Sequence, residues 1–311
     1  MTDVIITDVT LREYGQNVSS EFLYLFTPTK RLEITQKLVE AGFEKIEIFS
    51  CINPKLAPAM EEETLKEISS SLGRIKGVDF ITLVPNRAGY ETFKRLELGK
   101  DGFDHIMGIF FSAVESHNLA NLGRSIEKTL EEYSAIASEA VSTGTRMCAY
   151  ISAAFGYSQP GSGTIQKPDT DRVCQFIDRL FDMGAMTVTL SDLQGIADVR
   201  ETERFLGSIL EKKRGKDTEK LGYHPHHISG AEALQNSKAA FDLGIKRFDA
   251  SLGGTGGCIT GAPGNQPTEG LVQLFDRTGV ETGLDTEKVL SLAEVIKGQL
   301  FDRIKLEAKI R

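Results

Sequence analysis

The residues best suited to chemistry lie in Gly222-Tyr223-His224-Pro225-His226-His227, which holds three of the chain's five histidines. His224 and His226 are two apart. In an extended strand the side-chain period is two, so both imidazoles point to one face. Pro225 argues against a helix, because it removes a donor and disfavours the helical region for His224. Two neutral imidazoles side by side can ligate one divalent cation. The alternative is a polar strand end whose histidines are hydrogen-bonded or exposed. The choice turns on whether other segments bring oxygen ligands to the same place.

Several segments could do so. Asp8-Val9-Thr10-Leu11-Arg12-Glu13-Tyr14-Gly15-Gln16-Asn17 carries carboxylates, a cation and amides close together. Glu47 interrupts an apolar run that ends in Ser50, and Tyr150 and Ser152 fall in another such run. Asp192 follows a short apolar stretch; its plain alternative is a helix N-cap. A glycine-rich run, Gly253-Gly254-Thr255-Gly256-Gly257-Cys258, precedes Gly264-Asn265. Glu13 or Asp8 with His224, His226 and Asn265 makes a mixed nitrogen and oxygen site, which suits Mg²⁺, Mn²⁺ or Zn²⁺. The four cysteines, Cys51, Cys148, Cys174 and Cys258, are widely spaced and form no CxxC pair, so neither a disulfide framework nor a structural zinc is expected. Buried cysteine is the simple expectation for each, with Cys258 set apart by its glycine-rich loop.

Elements able to position these groups alternate along the chain. Strand patterns fall at 4–10, 45–50, 78–84, 105–113, 146–152, 186–192, 220–227 and 247–252. Helical patterns fall at about 30–40, 62–72, 88–98, 125–141, 170–183, 201–213, 230–243 and 268–277, and a final helical stretch occupies 285–309. Eight βα units in order, with strands too apolar for a half-exposed antiparallel sheet, predict an α/β fold of the (β/α)8 TIM-barrel kind with additional C-terminal helices. No linker or composition shift divides the chain, so residues 1–311 read as one catalytic barrel domain, with 283–311 as a C-terminal helical extension. The doubly wound open sheet is the alternative, but a GxGxxG after the first strand is absent. In a barrel the chemistry sits where strands end, and the polar residues fall at six such ends.

Bulk properties narrow the partners. A net charge of −8 leaves no basic stripe for nucleic acid. The longest apolar runs are strand-sized, so no membrane span is expected. The first residues, Met1-Thr2-Asp3-Val4-Ile5-Ile6, lack a signal-peptide pattern, and a reducing cytoplasmic setting is expected.

The whole chain resembles the 3-hydroxy-3-methylglutaryl-CoA lyase family. Residues 8–17 are similar to its D-x-T-L-R-D-G-x-Q opening. Ser50-Cys51-Ile52-Asn53-Pro54-Lys55-Leu56-Ala57-Pro58-Ala59-Met60 resembles S-F-V-S-P-K-W-V-P-Q-M, and Leu83-Val84-Pro85-Asn86 resembles L-x-P-N. Phe111-Ser112-Ala113-Val114-Glu115-Ser116 resembles F-x-S-A-S-E, and Ser191-Asp192-Leu193-Gln194-Gly195 resembles G-D-T-I-G. His224-Pro225-His226, Gly256-Gly257-Cys258 and Gly264-Asn265 complete the series in order.

The resemblance implies a divalent cation held by Glu13, His224, His226 and Asn265. It implies Arg12 at the acyl carbonyl, Asp192 and His224 at the substrate hydroxyl proton, and Cys258 as the acid that protonates the leaving carbanion. Gln16, Glu47, Ser50 and Tyr150 would line the pocket. The family cleaves a 3-hydroxy-3-methylglutaryl thioester to acetyl-CoA and acetoacetate, so a small acyl-CoA or hydroxy-acid substrate and a homo-oligomer, a dimer, are expected. These residue types fit the chemistry: cleavage β to a thioester carbonyl needs a base, an electrophile and an acid.

The chain departs from the pattern at five places. Glu13 stands for aspartate, Tyr14 for glycine, Val18 for glutamate and His227 for aspartate, and the loop from Cys258 to Asn265 is shorter. These changes keep the reaction class and leave the substrate open. One rival is a related condensing enzyme or aldolase joining an acyl-CoA to a 2-oxo acid, like isopropylmalate or citramalate synthases; Cys258 favours cleavage. The other is a non-catalytic relative that binds acyl-CoA.

Overall fold

A computed structural model describes residues 2–98, 105–161, 163–227, 230–256 and 264–298. Eight strands close into a parallel barrel in chain order: β1 (Ile5–Asp8), β2 (Lys45–Ser50), β3 (Asp79–Leu83), β4 (His105–Ser112), β5 (Met147–Ser152), β6 (Val188–Asp192), β7 (Leu221–Pro225) and β8 (Arg247–Ala250). Closure comes from β1 against β8, with Ile5 opposite Arg247 and Asp8 opposite Ala250. The expected fold is therefore present, with most strands one to three residues shorter than their apolar patterns.

Eleven described helices surround or cap the strands: α1 (Thr10–Asn17), α2 (Pro28–Glu40), α3 (Glu62–Leu72), α4 (Arg87–Arg95), α5 (Glu115–Leu122), α6 (Ile126–Ser142), α7 (Thr170–Asp182), α8 (Val199–Lys212), α9 (Gly230–Asp242), α10 (Thr268–Thr278) and α11 (Thr286–Ile296). Side-chain oxygens cap several of them. Thr27, Asn86, Ser125 and Asp198 accept from backbone N–H groups in the first turns of α2, α4, α6 and α8. Two helices, α1 and α5, have no counterpart in the sequence pattern. The loop after β5 carries a short antiparallel ribbon, Tyr157–Ser158 with Ile165–Gln166.

The start of α1 shows why strand one stops early. The Asp8 carboxylate accepts from the Thr10 N–H at 3.1 Å and the Thr10 hydroxyl at 2.7 Å, which turns the chain at Val9. Beyond it, Leu11, Arg12, Glu13 and Gln16 are good helix formers, and residues 10–15 are buried against the barrel end. Arg12 and Gln16 thus fall one helical turn apart, on one face.

Two apolar layers form the core. Side chains facing out from the strands pack with the helices in one large cluster. A smaller cluster of Ile81, Leu83, Ile106 and Cys148, with Phe110, Tyr150 and Met186, fills the barrel interior. Gly108 belongs to that interior: a Cβ there would come within 2.7 Å of a Leu83 methyl. Cys51, Cys148 and Cys174 are buried free thiols, and burial pushes those of Cys51 and Cys148 up to about 12. Cys258 lies outside the described residues. In the C-terminal extension, α11 buries Val289, Leu292, Ala293 and Ile296 and contacts α10 and α2. Among the described residues no helix is long and apolar enough to cross a membrane.

Candidate active site

The C-terminal ends of the strands surround a cavity of about 360 Å³. Arg12, Glu13 and Gln16 reach it from α1, Glu47 from β2, Tyr150 from β5, and His224 and His226 from β7 and its end. Seven of the residues expected from the sequence therefore meet in one place.

Arg12 is the hub of one half. Its Nε donates to Glu47 Oε2, and its Nη1 donates to Glu13 Oε1 and, at 2.9 Å, to Gln16 Oε1. Glu47 is fully buried and Arg12 and Glu13 nearly so. Burial works against the guanidinium, but the adjacent charges of Glu13 and Glu47 outweigh it and hold the cation more firmly than usual. Burial raises the Glu47 carboxyl, with Arg12 opposing and Asp249 and Glu13 adding to the rise. A buried charge needs a partner, and here one cation serves two carboxylates.

The other half is built on β7. His224 Nδ1 lies 3.0 Å from Asp249 Oδ2, and His224 Nε2 lies 3.0 Å from His226 Nε2. The Asp249 carboxylate can only accept, so it fixes the proton on Nδ1 and turns the Nε2 lone pair toward His226. Burial opposes a charge on the His224 ring, but the hydrogen bond and charge of Asp249, with Glu13 behind them, raise its pKa above the usual value. One ligating atom each from Glu13, His224 and His226 lies within 4.8 Å of the others.

Asn265 closes this half from the last loop. It forms a β-bridge with His226, and the adjacent Gln266 N–H donates to the Pro225 carbonyl at 3.1 Å. The Asn265 amide nitrogen donates to the Thr255 carbonyl at 2.7 Å, while its Oδ1 is buried with no hydrogen-bond partner. Gly256, at φ +89°, passes so close that a Cβ would lie 2.6 Å from Glu13 Cβ and 2.8 Å from Asn265 Nδ2. A carboxylate, two imidazoles and an orphaned amide oxygen are the donor set a divalent cation accepts, so these residues fit the ion that the resemblance implies.

Other expected residues sit elsewhere. Ser50 is buried at the end of β2 and does not line the cavity. Asp192 is also absent from the cavity lining. Its carboxylate accepts from the Ile196 N–H at 3.0 Å and the Ala197 N–H at 2.9 Å, and so ties down the turn after β6. Burial nevertheless raises its pKa to about 6.

Two groups at the site lie outside the residues expected from the sequence. Asp249 in Arg247-Phe248-Asp249-Ala250 has one available signal, since a carboxylate between apolar neighbours in a buried parallel strand requires a partner. His117, on the unforeseen α5, lines the cavity as well.

The chain is similar to known proteins over nearly its whole length. The HMGL-like family matches residues 3–296. A hydroxymethylglutaryl-CoA lyase of Bacillus subtilis is 30% identical over 296 residues, 94% of this chain and 93% of the relative. An (R)-citramalyl-CoA lyase of Chloroflexus aurantiacus is 31% identical over 310 residues, 96% of this chain and 92% of the relative. Among solved structures, the Bacillus subtilis HMG-CoA lyase superposes with a TM-score of 0.81 at 28% identity, covering 96% of this chain and 94% of that one. An Acinetobacter baumannii HMG-CoA lyase, in complex with coenzyme A and 3-methylmalate, does so with a TM-score of 0.81 at 25% identity, covering 96% and 91%. The chain belongs to the HMGL-like family, and its place there is that of a carbon–carbon lyase.

Proposed function

We propose that the protein is a divalent-metal-dependent lyase that cleaves a 3-hydroxyacyl thioester of the 3-hydroxy-3-methylglutaryl-CoA type to acetyl-CoA and a keto acid. The observation that carries this reading is the meeting of the Arg12–Glu47 pair with Glu13, His224 and His226 on one cavity. The relatives' names and the coenzyme A complex of the Acinetobacter structure support the thioester. Mg²⁺ or Mn²⁺ suits the oxygen ligands, and Zn²⁺ the imidazoles.

Glu13, His224, His226 and Asn265 would hold the cation, which when bound supplies an electrophile for the substrate oxygens. Arg12 is fixed by Glu47, Glu13 and Gln16, so its remaining N–H groups can meet the thioester oxygen without reorganisation. Negative charge grows on that oxygen as the carbon–carbon bond breaks. Tyr150 lines the same cavity, with burial holding its phenol well above the usual pKa, so it stays a donor. Cys258 is the acid in this reading, delivering its proton to the enolate carbon from the glycine-rich loop.

Taking the substrate hydroxyl proton is the competing use of His224, with Asp249 behind it; the Asp192 carboxylate already serves backbone N–H groups. A single lone pair on His224 Nε2 can ligate a cation or accept that proton, but not both at once. Metal content of His224→Gln separates the two uses. Loss of bound metal marks a ligand, and retained metal with lost cleavage marks a base.

The test is a screen of 3-hydroxyacyl-CoA thioesters and free hydroxy acids with Mg²⁺, Mn²⁺ or Zn²⁺, with products identified by mass. Acetyl-CoA formed from a thioester, and lost on chelation, is the expected result. No thioester cleaved with any of the three ions would refute the reading. The reading also takes the enzyme as a cytoplasmic homodimer, which light scattering on the purified protein checks for its dimeric part.

A further inference from the structure

His117 is a polar group in an apolar wall. It sits on α5, is 0% exposed, and neither ring nitrogen has a hydrogen-bond partner. Its ring centroid lies 4.6 Å from that of Tyr157. Val114, Ala153, Tyr157 and Leu193 form a small apolar cluster of their own, and Leu193 and His117 both line the cavity. Burial pushes the imidazole down to about 4, so the ring is neutral near pH 7, with one N–H donor and one acceptor. Leaving both unmet costs desolvation free energy that a phenylalanine of similar shape would avoid.

The charge distribution says what could meet it. Among the described residues lining the cavity, Arg12 is the sole lysine or arginine, and Glu13 and Glu47 already occupy it. Apart from the proposed divalent cation, an acyl arm that ends in a carboxylate therefore finds no spare cationic side chain in the lining. The His117 N–H is a nitrogen donor in that wall with no protein partner, and a hydrogen bond to a charged acceptor is stronger than one to a neutral acceptor.

We propose that His117 is a specificity-determining residue, whose imidazole N–H hydrogen-bonds the carboxylate on the far arm of the acyl group. This assignment rests on the thioester-lyase reading above and names the class of arm that the site prefers. A bond made equally in ground state and transition state acts on KM and leaves kcat alone.

Two measurements test it. The first compares His117→Phe and His117→Gln with the parent Mg²⁺-loaded enzyme on two thioesters. One is 3-hydroxy-3-methylglutaryl-CoA, and the other is 3-hydroxy-3-methylbutyryl-CoA, which lacks the arm carboxylate. For the phenylalanine variant, KM for the first should rise about ten- to a hundredfold, with kcat and cleavage of the second nearly unchanged. Glutamine, which keeps an N–H donor, should recover part of the loss. Equal effects on both thioesters, or no effect, would overturn the assignment.

The second measurement needs no turnover. The His117 imidazole resonance, assigned by its loss in His117→Gln, is followed by NMR while the Mg²⁺-loaded parent is titrated with 3-hydroxy-3-methylglutarate. A saturable shift supports the assignment, and an unmoved resonance overturns it. A protein that cleaves no thioester yet shows the shift keeps the His117 assignment and loses the lyase substrate. Cleavage without shift or KM change does the reverse. Should the phenylalanine variant fail to fold, the titration of the parent still decides.

Discussion

At the scale of single residues, Asp249 has the most influence for a group that touches no substrate in the proposed reaction. Its carboxylate faces His224 Nδ1 at 3.0 Å, deep in β8, and through that one contact it sets which nitrogen of His224 is free. Outer partners of this kind orient a ligand ring and raise its basicity. Asp249→Asn preserves the shape but replaces an acceptor-only group with one that can donate. The ring can then flip its tautomer and place a proton where the lone pair is needed. Affinity for the divalent cation should fall about ten- to a hundredfold, measured by metal titration with circular dichroism as a control for folding. An unchanged affinity would remove Asp249 from the site. Glu13 is the other residue of interest, because its carboxylate meets Arg12 and also lies beside the imidazole pair.

At the scale of elements, the junction of β1 and α1 decides whether the site forms at all. The Thr10 hydroxyl donates to Asp8 and accepts from the Leu252 N–H at 2.8 Å, which links the first strand to the turn after the last. The barrel closes at this seam, and α1 hangs from it. Thr10→Val keeps the branched shape but strands a buried N–H and a buried carboxyl oxygen. A loss of about 2 kcal/mol or more is expected in urea unfolding. A stability within error of the parent would show that the seam is held by the strand ladder alone. The helix α5 matters in the same way for the far wall, since it carries His117. Its first turn is also pinned to β4, where the Asn118 side chain accepts from the Ser112 N–H at 2.9 Å.

At the scale of the whole molecule, buried titratable groups set how stability responds to pH. Burial lowers His105 to about 3 and His117 to about 4, whereas both titrate near 6.5 in the unfolded chain. Between pH 6.5 and these values the unfolded state binds protons that the folded state refuses, so each histidine costs stability as pH falls, by about 1.4 kcal/mol per unit. Asp8 works the other way. Burial raises it from 3.8 to about 7, so the folded state takes up its proton first and gains stability as pH falls from about 7 toward 3.8. The opposing signs partly cancel in the parent and separate in variants. His105→Gln should gain on the parent by about 1.4 kcal/mol per unit between pH 6 and 5, read from paired urea titrations. A constant difference across that range would mean that His105 is not held neutral. The same scale separates what the sequence determined from what tertiary structure decided. Short apolar runs alternating with helical stretches specify eight βα units, and βα units in that number close into a barrel, so the fold was legible from Val4 to Arg277. His224-Pro225-His226 was legible too, because a strand puts alternate residues on one face whatever surrounds it. The helix at Thr10–Asn17 was not, since eight residues with Gly15 inside make a weak pattern and tertiary burial supplies their stability. Nor were the partnerships of Arg12 with Glu47 and His224 with Asp249, at separations of tens of residues. Periodicity says which face a side chain takes along its own element, but only closure of the barrel decides which other face it meets.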